Sequence, residues 1–257
     1  MPWLTVITVV KDDIAGFLRS RDSLLQQNTE GIQWIVIDSS VNRDAIRKAL
    51  AGDRIDVVVE WTRAQGIYPA MNTGLGLATG DYVYFLNAGD EFSGADVLSS
   101  VREALGGHEW AFGPVAIVGT DGTRVVTPPW DYQTEKRVAF SRGLFPAHQG
   151  TIASTELVRS CGGFDERFTI AADYALFLRM SLKCDPIELT TVIATFHEGG
   201  ASTSQWQESF KQFHRARKEV LAPSGALAVR ERWETAKHFG LVYAHREIRP
   251  RLQWRKA

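Results

Sequence analysis

The chain has only two cysteines in 257 residues, Cys161 and Cys184. Two such thiols make neither a zinc cluster nor a disulfide framework, so reduced thiols and a cytoplasmic setting are expected. Net charge is also nearly absent. Lys and Arg number 29 against 30 Asp and Glu, which leaves no electrostatic case for nucleic acid as a partner. No apolar run approaches the roughly 18 residues that cross a bilayer. The first apolar stretch breaks at Lys11-Asp12-Asp13 without a cationic lead, unlike a secretory leader. Repeats and low-complexity tracts are missing too. The expectation is a soluble or peripheral protein whose 44% hydrophobic and 23% charged residues suffice for one substantial core.

What is present is a succession of strands and helices. Residues 4–10 are a continuous β-branched run, followed by Lys11-Asp12-Asp13 and an amphipathic stretch to Gln27. Residues 33–37 close on Asp38-Ser39-Ser40, and residues 55–59 form a third apolar run. Residues 82–86, led in by Thr79-Gly80-Asp81, end in Asn87-Ala88-Gly89-Asp90. Strands alternating with helical patterns predict stacked βαβ units and a mainly parallel sheet. Ligands of such sheets bind at the carboxyl ends of the strands. Ala88 and Gly89 add little bulk there, so a diphosphate and a divalent ion can approach the backbone, with Asp90 as the oxygen ligand. An ordinary turn uses the same residues. The Gly74-x-Gly76-x-x-x-Gly80 run precedes a strand instead of following one, which argues against a dinucleotide fingerprint.

Further along, residues 93–105 read as a helix with Asp96 near its start and Gly106-Gly107 at its end. Residues 109–118 and 123–127 read as a strand pair around Asp121-Gly122, a strong hairpin signal. Residues 130–146 read as irregular, and their aromatics, Trp130, Tyr132, Phe140 and Phe145, suit either the core or an acceptor wall. A helix is expected from Asp173 to Met180 and a strand over residues 190–196, stopped by His197-Glu198-Gly199-Gly200. Helical patterns follow over residues 205–220 and 227–242. The chain then ends basic, with Arg246, Arg249, Arg251, Arg255 and Lys256 around Ile248, Leu252 and Trp254. Such a mixture suits a solvated tail or contact with anionic lipid.

Together these segments resemble the inverting nucleotide-sugar glycosyltransferases of family 2, which have the GT-A fold. The matching positions run in the family's order: Asp38, then Gly66-Ile67-Tyr68 with Ala70-Met71-Asn72, then Phe85-Leu86-Asn87 with Asp90. His148-Gln149, Gly162-Gly163-Phe164-Asp165-Glu166 and Ala171-Ala172-Asp173-Tyr174 follow. The resemblance covers residues 4–203. Pro69 and Gly89 stand where the family usually has Asp, and Ala64 where an acidic residue often precedes the Gly-Ile-Tyr segment. The resemblance implies an α/β GT-A catalytic domain over residues 1–203 and a helical extension over 204–257. It also implies metal-dependent, inverting transfer of a sugar from a nucleotide-diphosphate donor to a saccharide or lipid-linked glycan acceptor, as in bacterial surface-glycan assembly.

Such a transfer needs the leaving diphosphate neutralised and the acceptor hydroxyl deprotonated, in line at the anomeric carbon. The resemblance assigns the first task to Asp90 through Mg²⁺ or Mn²⁺ and the second to Asp173, a residue that is also a good helix N-cap. His197, just past a strand end, suits an ion or a phosphate oxygen, or a plain surface turn. His148 and Gln149 suit a sugar hydroxyl or a hydrogen-bonded strand end. Asp38 can accept from a base N–H or a ribose hydroxyl. Lys11 and Arg63 can pair with the diphosphate or be merely solvated. Backbone groups of Thr8 and Val10 would line the base pocket. On the resemblance, Gly66, Tyr68, Asn72, Asn87 and Ala88 complete the donor-binding set. Two rivals stay open. A sugar nucleotidyltransferase would want a Gly-rich basic loop after the first strand, which Val10-Lys11-Asp12-Asp13 lacks. A catalytically silent carbohydrate-binding or scaffold protein is compatible with Gly89.

Overall fold

A computed structural model of the chain describes residues 1–52, 55–129, 131–134, 140, 145–197 and 205–243. Its first half is three βα units and a fourth strand: β1 (Leu4–Val10), α1 (Ile14–Leu25), β2 (Ile32–Asp38), α2 (Arg43–Ala49), β3 (Val57–Trp61), α3 (Ile67–Leu77) and β4 (Tyr82–Phe85). β1 is buried at all seven positions, as a continuous apolar run must be when both faces of a parallel sheet are covered. It pairs in parallel with β2 on one side and β4 on the other. The helices start where local chemistry allows, with Asp13 Oδ1 accepting from Gly16 N at 2.8 Å and the Asn42 side chain accepting from Asp44 N.

The second half continues through β5 (Glu91–Phe92), α4 (Val97–Leu105), β6 (Trp110–Phe112), β7 (Val115–Val118), β8 (Arg124–Val126), a tight turn over His148–Gly150, β9 (Thr151–Ser154), α5 (Thr155–Ser160), α6 (Ala172–Ser181), β10 (Ile187–Glu188), β11 (Ala194–His197), α7 (Trp206–Leu221) and α8 (Gly225–Tyr243). Seven strands form the main sheet in the order β10-β6-β9-β4-β1-β2-β3, and β5-β11-β7-β8 form a smaller one. Among the described strands of the main sheet, β9 alone runs antiparallel to its neighbours. This is the mainly parallel α/β architecture expected from the strand and helix alternation.

Three element boundaries differ from the sequence expectation. The strand expected over 109–118 is cut at Gly113-Pro114, so β6 belongs to the main sheet and β7 to the smaller one. Pro114 has no N–H to donate, and a Cβ on Gly113 would lie 2.7 Å from the Thr191 carbonyl oxygen. The Asp121-Gly122 hairpin between β7 and β8 forms as expected, with Gly122 at φ 81°. The helix expected from Ser93 begins only at Val97, because Ser93 is tied to the strand region beside it: its N donates to the Ile193 carbonyl at 3.1 Å and its hydroxyl to the Val192 carbonyl. The strand expected over 190–196 starts only at Ala194, in β11, and runs on through His197, which was expected to lie just past its end.

Tyr132 and Phe140 are buried, Phe145 packs 5.0 Å from the Tyr174 ring, and Trp110 and Phe177 complete this aromatic layer. The core reading therefore holds for these three aromatics, while Trp130 lies outside the described residues. α7 lays Ala216, fully buried, against α6. Arg217, 2% exposed, pairs through Nε with Glu231 Oε1 of α8 at 2.8 Å. The basic tail lies outside the described residues. Among those described, no helix is long and apolar enough to cross a membrane.

Candidate active site

The carboxyl ends of β1 and β4 and the turn after β2 open on a cleft of about 380 Å³. Its walls include Val10, Lys11, Ser39, Gly66, Asn87 and Ala88. A larger concavity of about 680 Å³ lies at the opposite, amino end of β4, against Thr79, Asp81, Glu109 and Arg159. The chemistry expected of an open parallel sheet belongs to the first of these.

The floor of the cleft is the turn after β4. Ala88 N donates to the Val9 carbonyl at 3.1 Å and Asp90 N to the Asn87 carbonyl at 2.9 Å. Gly89 holds φ 101°, a conformation that favours glycine. Ser20 of α1 shapes this turn: its hydroxyl donates to the Asn87 carbonyl at 3.0 Å and accepts from Gly89 N at 3.0 Å. Ser20 was not among the expected site residues. Its signal was available, since a polar side chain sits between Phe17 and Leu24 on the buried stripe of α1.

Asp90 is 6% exposed, and its carboxylate has no hydrogen-bond partner among the described residues. Burial, helped by the neighbouring Glu91 charge, pushes its pKa up to about 8. His197 meets Glu91 Oε1 at 2.8 Å, from β11 across to β5. The imidazole is thus engaged by Glu91, the residue next to Asp90. Among the described residues no three His, Cys, Asp or Glu side chains gather as a metal-holding group.

Asp173 stands in the first turn of α6, not at its cap. The cap position is Ala171, whose methyl group accepts no hydrogen bond, so the N-cap reading of Asp173 is corrected. Its Oδ1 accepts from Tyr174 N at 2.8 Å and from the Tyr68 hydroxyl at 3.3 Å. His148 Nδ1 lies 3.7 Å from its Oδ2. The other ring nitrogen of His148 is 2.9 Å from Asn87 Nδ2, so one imidazole spans from the cleft floor to the Asp173 carboxylate. Burial pushes Asp173 up to about 6, with the Tyr174 and Tyr68 bonds pulling the other way. Burial also lowers His148 to about 4, so it is neutral at pH 7.

The remaining expected residues divide. Val10, Lys11, Gly66, Asn87 and Ala88 line the cleft. Arg63 lies beside it, in a small recess with Gln65 and Thr73. Thr8 does not reach the cleft wall: it is fully buried and its hydroxyl accepts from Trp34 Nε1 at 3.0 Å. Asp38, 1% exposed, accepts from Ser40 N at 2.8 Å and so forms the turn after β2. Asn72 is a clamp on another loop. Its Oδ1 accepts from Phe164 N at 2.9 Å, and its Nδ2 donates to the Phe164 carbonyl and to Glu166 Oε1, each at 2.8 Å. This side chain does not line the cleft. Gln149 contributes its carbonyl to the Tyr84 hydroxyl at 2.6 Å.

Residues 5–164 match the family model described as Glycosyl transferase family 2. An uncharacterized glycosyltransferase of Mycobacterium tuberculosis is 33% identical over 208 residues, which cover 79% of this chain and 78% of that protein. A PGL/p-HBAD biosynthesis glycosyltransferase of Mycobacterium bovis is 26% identical over 223 residues, 81% of this chain and 82% of that one. The solved structure of S. aureus TarS 1-349 in complex with UDP matches with a TM-score of 0.69 at 16% identity, covering 95% of this chain and 72% of that one. The mannosyltransferase PcManGT from Pyrobaculum calidifontis, in complex with GDP-Man and Mn²⁺, matches at 0.64 with 18% identity, covering 96% and 76%. These structural likenesses show the GT-A fold. Given the strand-end cleft, the motif order and a family match across more than half of its length, the chain belongs to glycosyl transferase family 2.

Proposed function

We propose that this glycosyltransferase moves a hexose from a nucleoside-diphosphate donor to a hydroxyl of a saccharide or lipid-linked glycan, in one inverting displacement with Asp173 as base. The observation that carries the reading is the linkage of Asp173 to the cleft through His148 and Asn87. A carboxylate 14% exposed, with a pKa near 6, is ionised at neutral pH yet basic enough to take a proton. In the step, the acceptor oxygen bonds to the anomeric carbon while the bond to the diphosphate breaks. The hydroxyl proton passes to Asp173, and the electron pair leaves with the nucleoside diphosphate. Attack from the face opposite the leaving group inverts the configuration. Neutral His148 and Tyr68 hold the carboxylate in place. Val10, Lys11, Gly66 and Ala88 face the donor, and Lys11 offers it positive charge.

Asp90 fits a divalent ion such as Mg²⁺ or Mn²⁺, because its carboxylate, 6% exposed, has no hydrogen-bond partner among the described residues. Such ions typically take one or two protein carboxylates and complete their shell with substrate phosphates and water. Bound there, the ion would supply positive charge to the departing diphosphate. Support for a nucleotide-sugar donor comes from TarS, solved with UDP-GlcNAc, and PcManGT, solved with GDP-Man. A lipid-linked acceptor at the cytoplasmic face of an anionic membrane suits α8, whose exposed Val229 and Trp233 are flanked by Arg230, Arg232 and Lys237.

The test is to incubate the full chain with UDP- and GDP-hexoses, Mn²⁺ and candidate acceptors, and to read nucleotide release and the anomeric configuration by NMR. An inverted product, lost in Asp173→Asn, supports the reading. Donor binding without transfer or hydrolysis across the panel would favour the silent scaffold instead.

A further inference from the structure

The start of α6, which carries Asp173, is short of capping groups, and a side chain from much later in the chain supplies them. Gln212 of α7 is buried, 8% exposed, and its Oε1 accepts from both Ile170 N at 2.9 Å and Ala171 N at 3.3 Å. Its own amide is oriented at the other end, where Nε2 donates to Thr169 Oγ1 at 2.9 Å and to Glu208 Oε1 at 3.2 Å. The Ile170 carbonyl accepts from the Tyr68 hydroxyl at 2.6 Å, and that hydroxyl also reaches Asp173. One amide therefore holds the peptide that sets where Tyr68 and Asp173 meet. Behind it, Arg217 of α7 reaches the Tyr174 hydroxyl at 3.3 Å and is itself held by Glu231 and Thr235 of α8.

We infer that Gln212 is a positioning residue for the transfer reaction, acting through Ile170 and Ala171 on the Asp173 carboxylate. It touches neither the cleft nor the carboxylate, so it governs the rate of the chemical step and leaves donor binding alone. This function lies outside residues 5–164, the part matched by the family model. The inference rests on the reading of Asp173 as base.

Gln212→Leu keeps the volume and removes the acceptor. Misplacing a reacting group by a fraction of an ångström to an ångström costs roughly 10- to 100-fold in rate, so kcat should fall by that order. The Kd of UDP or GDP with Mn²⁺, whichever binds the wild type, should stay within about twofold. The pair Gln212→Glu with Glu208→Gln reverses the donor and acceptor between the two side chains while keeping an oxygen for Ile170 and Ala171, and it should restore most of the rate. Amide resonances of Asp173 and Tyr174 should shift in Gln212→Leu and return in the pair, with those of Val10 and Ala88 unmoved. This readout does not depend on activity.

An unchanged kcat in Gln212→Leu, or unmoved Asp173 and Tyr174 resonances, would overturn the inference. So would loss of rate and nucleotide affinity in proportion to a fall in Tm, because that pattern marks general destabilisation. Asp173→Asn run in parallel separates the two claims. If it stays active, the base assignment fails; if it is inactive while Gln212→Leu is unaffected, only the positioning role fails.

Discussion

Asp90 and Asp173 are both carboxylates with little solvent exposure, yet their surroundings differ. Asp173 accepts two hydrogen bonds, from Tyr174 N and the Tyr68 hydroxyl, and faces a neutral imidazole. Asp90 accepts none among the described residues and has Glu91 beside it. Burial lifts both, but donors hold Asp173 to about 6 while Asp90 rises to about 8. A buried carboxylate with donors is a usable base at neutral pH. One without them calls for a cation.

The largest expected effect separates the base from its neighbourhood. Asp173→Asn keeps the size of the side chain, and its carbonyl oxygen can still accept from Tyr174 N and Tyr68, but it has no basic carboxylate. Loss of a general base typically costs roughly 10²- to 10⁴-fold in rate. Transfer should fall by that order while Tm and nucleotide affinity move little. Near-wild-type turnover would mark Asp173 as a purely structural side chain.

Asp90→Asn tests the other half through stability. The folded state holds the Asp90 proton up to about pH 8, whereas a free Asp loses it near 4. Between those values the folded state binds more protons, so this group's contribution falls as pH rises through the window. Removing the charge should therefore raise Tm at pH 8, by an amount corresponding to a few kcal/mol at most, and hardly change it at pH 4. Mn²⁺ should raise the Tm of wild type at pH 8 and not that of the variant, since a ligand stabilises only the state it binds. A variant less stable than wild type at pH 8, and equal responses to Mn²⁺, would break the contrast.

The two carboxylates also differ in how far the sequence reveals them. The Asp90 turn is legible because an apolar strand runs into Asn87-Ala88-Gly89, although Ser20, Val9 and His148, which hold that turn, lie far off in sequence. The βα order and the hairpin at Asp121-Gly122 are legible for the same reason. Asp173 is not local. It looks like a helix cap, because nothing nearby shows that Gln212, on a later helix, supplies the acceptor for Ile170 and Ala171. The Asn72 clamp is hidden in the same way, since its partners Phe164 and Glu166 lie 92 and 94 residues further along the chain. The break at Gly113-Pro114 depends on the Thr191 carbonyl, another contact distant in sequence.

The smallest effect, and the sharpest on the role of donors, is expected of Tyr68→Phe. The hydroxyl lies 3.3 Å from Asp173 Oδ1 and stabilises the ionised carboxylate, so its removal should lift the Asp173 pKa above about 6. A base acts only when ionised, and kcat therefore rises with pH through that pKa. The rising limb should move to higher pH in the variant. One hydrogen bond is worth roughly 1 kcal/mol, so at pH 6, where the wild-type carboxylate is half ionised, the rate should drop by about threefold. At pH 8, where the carboxylate is ionised in both proteins, the two rates should nearly converge. The hydroxyl also serves the Ile170 carbonyl, so some loss of Tm is expected, but that loss is no reason for the rates to converge at high pH. A limb that stays in place, or a deficit equal at pH 6 and pH 8, would mean that burial alone sets the basicity of Asp173 and that its donors matter only for packing.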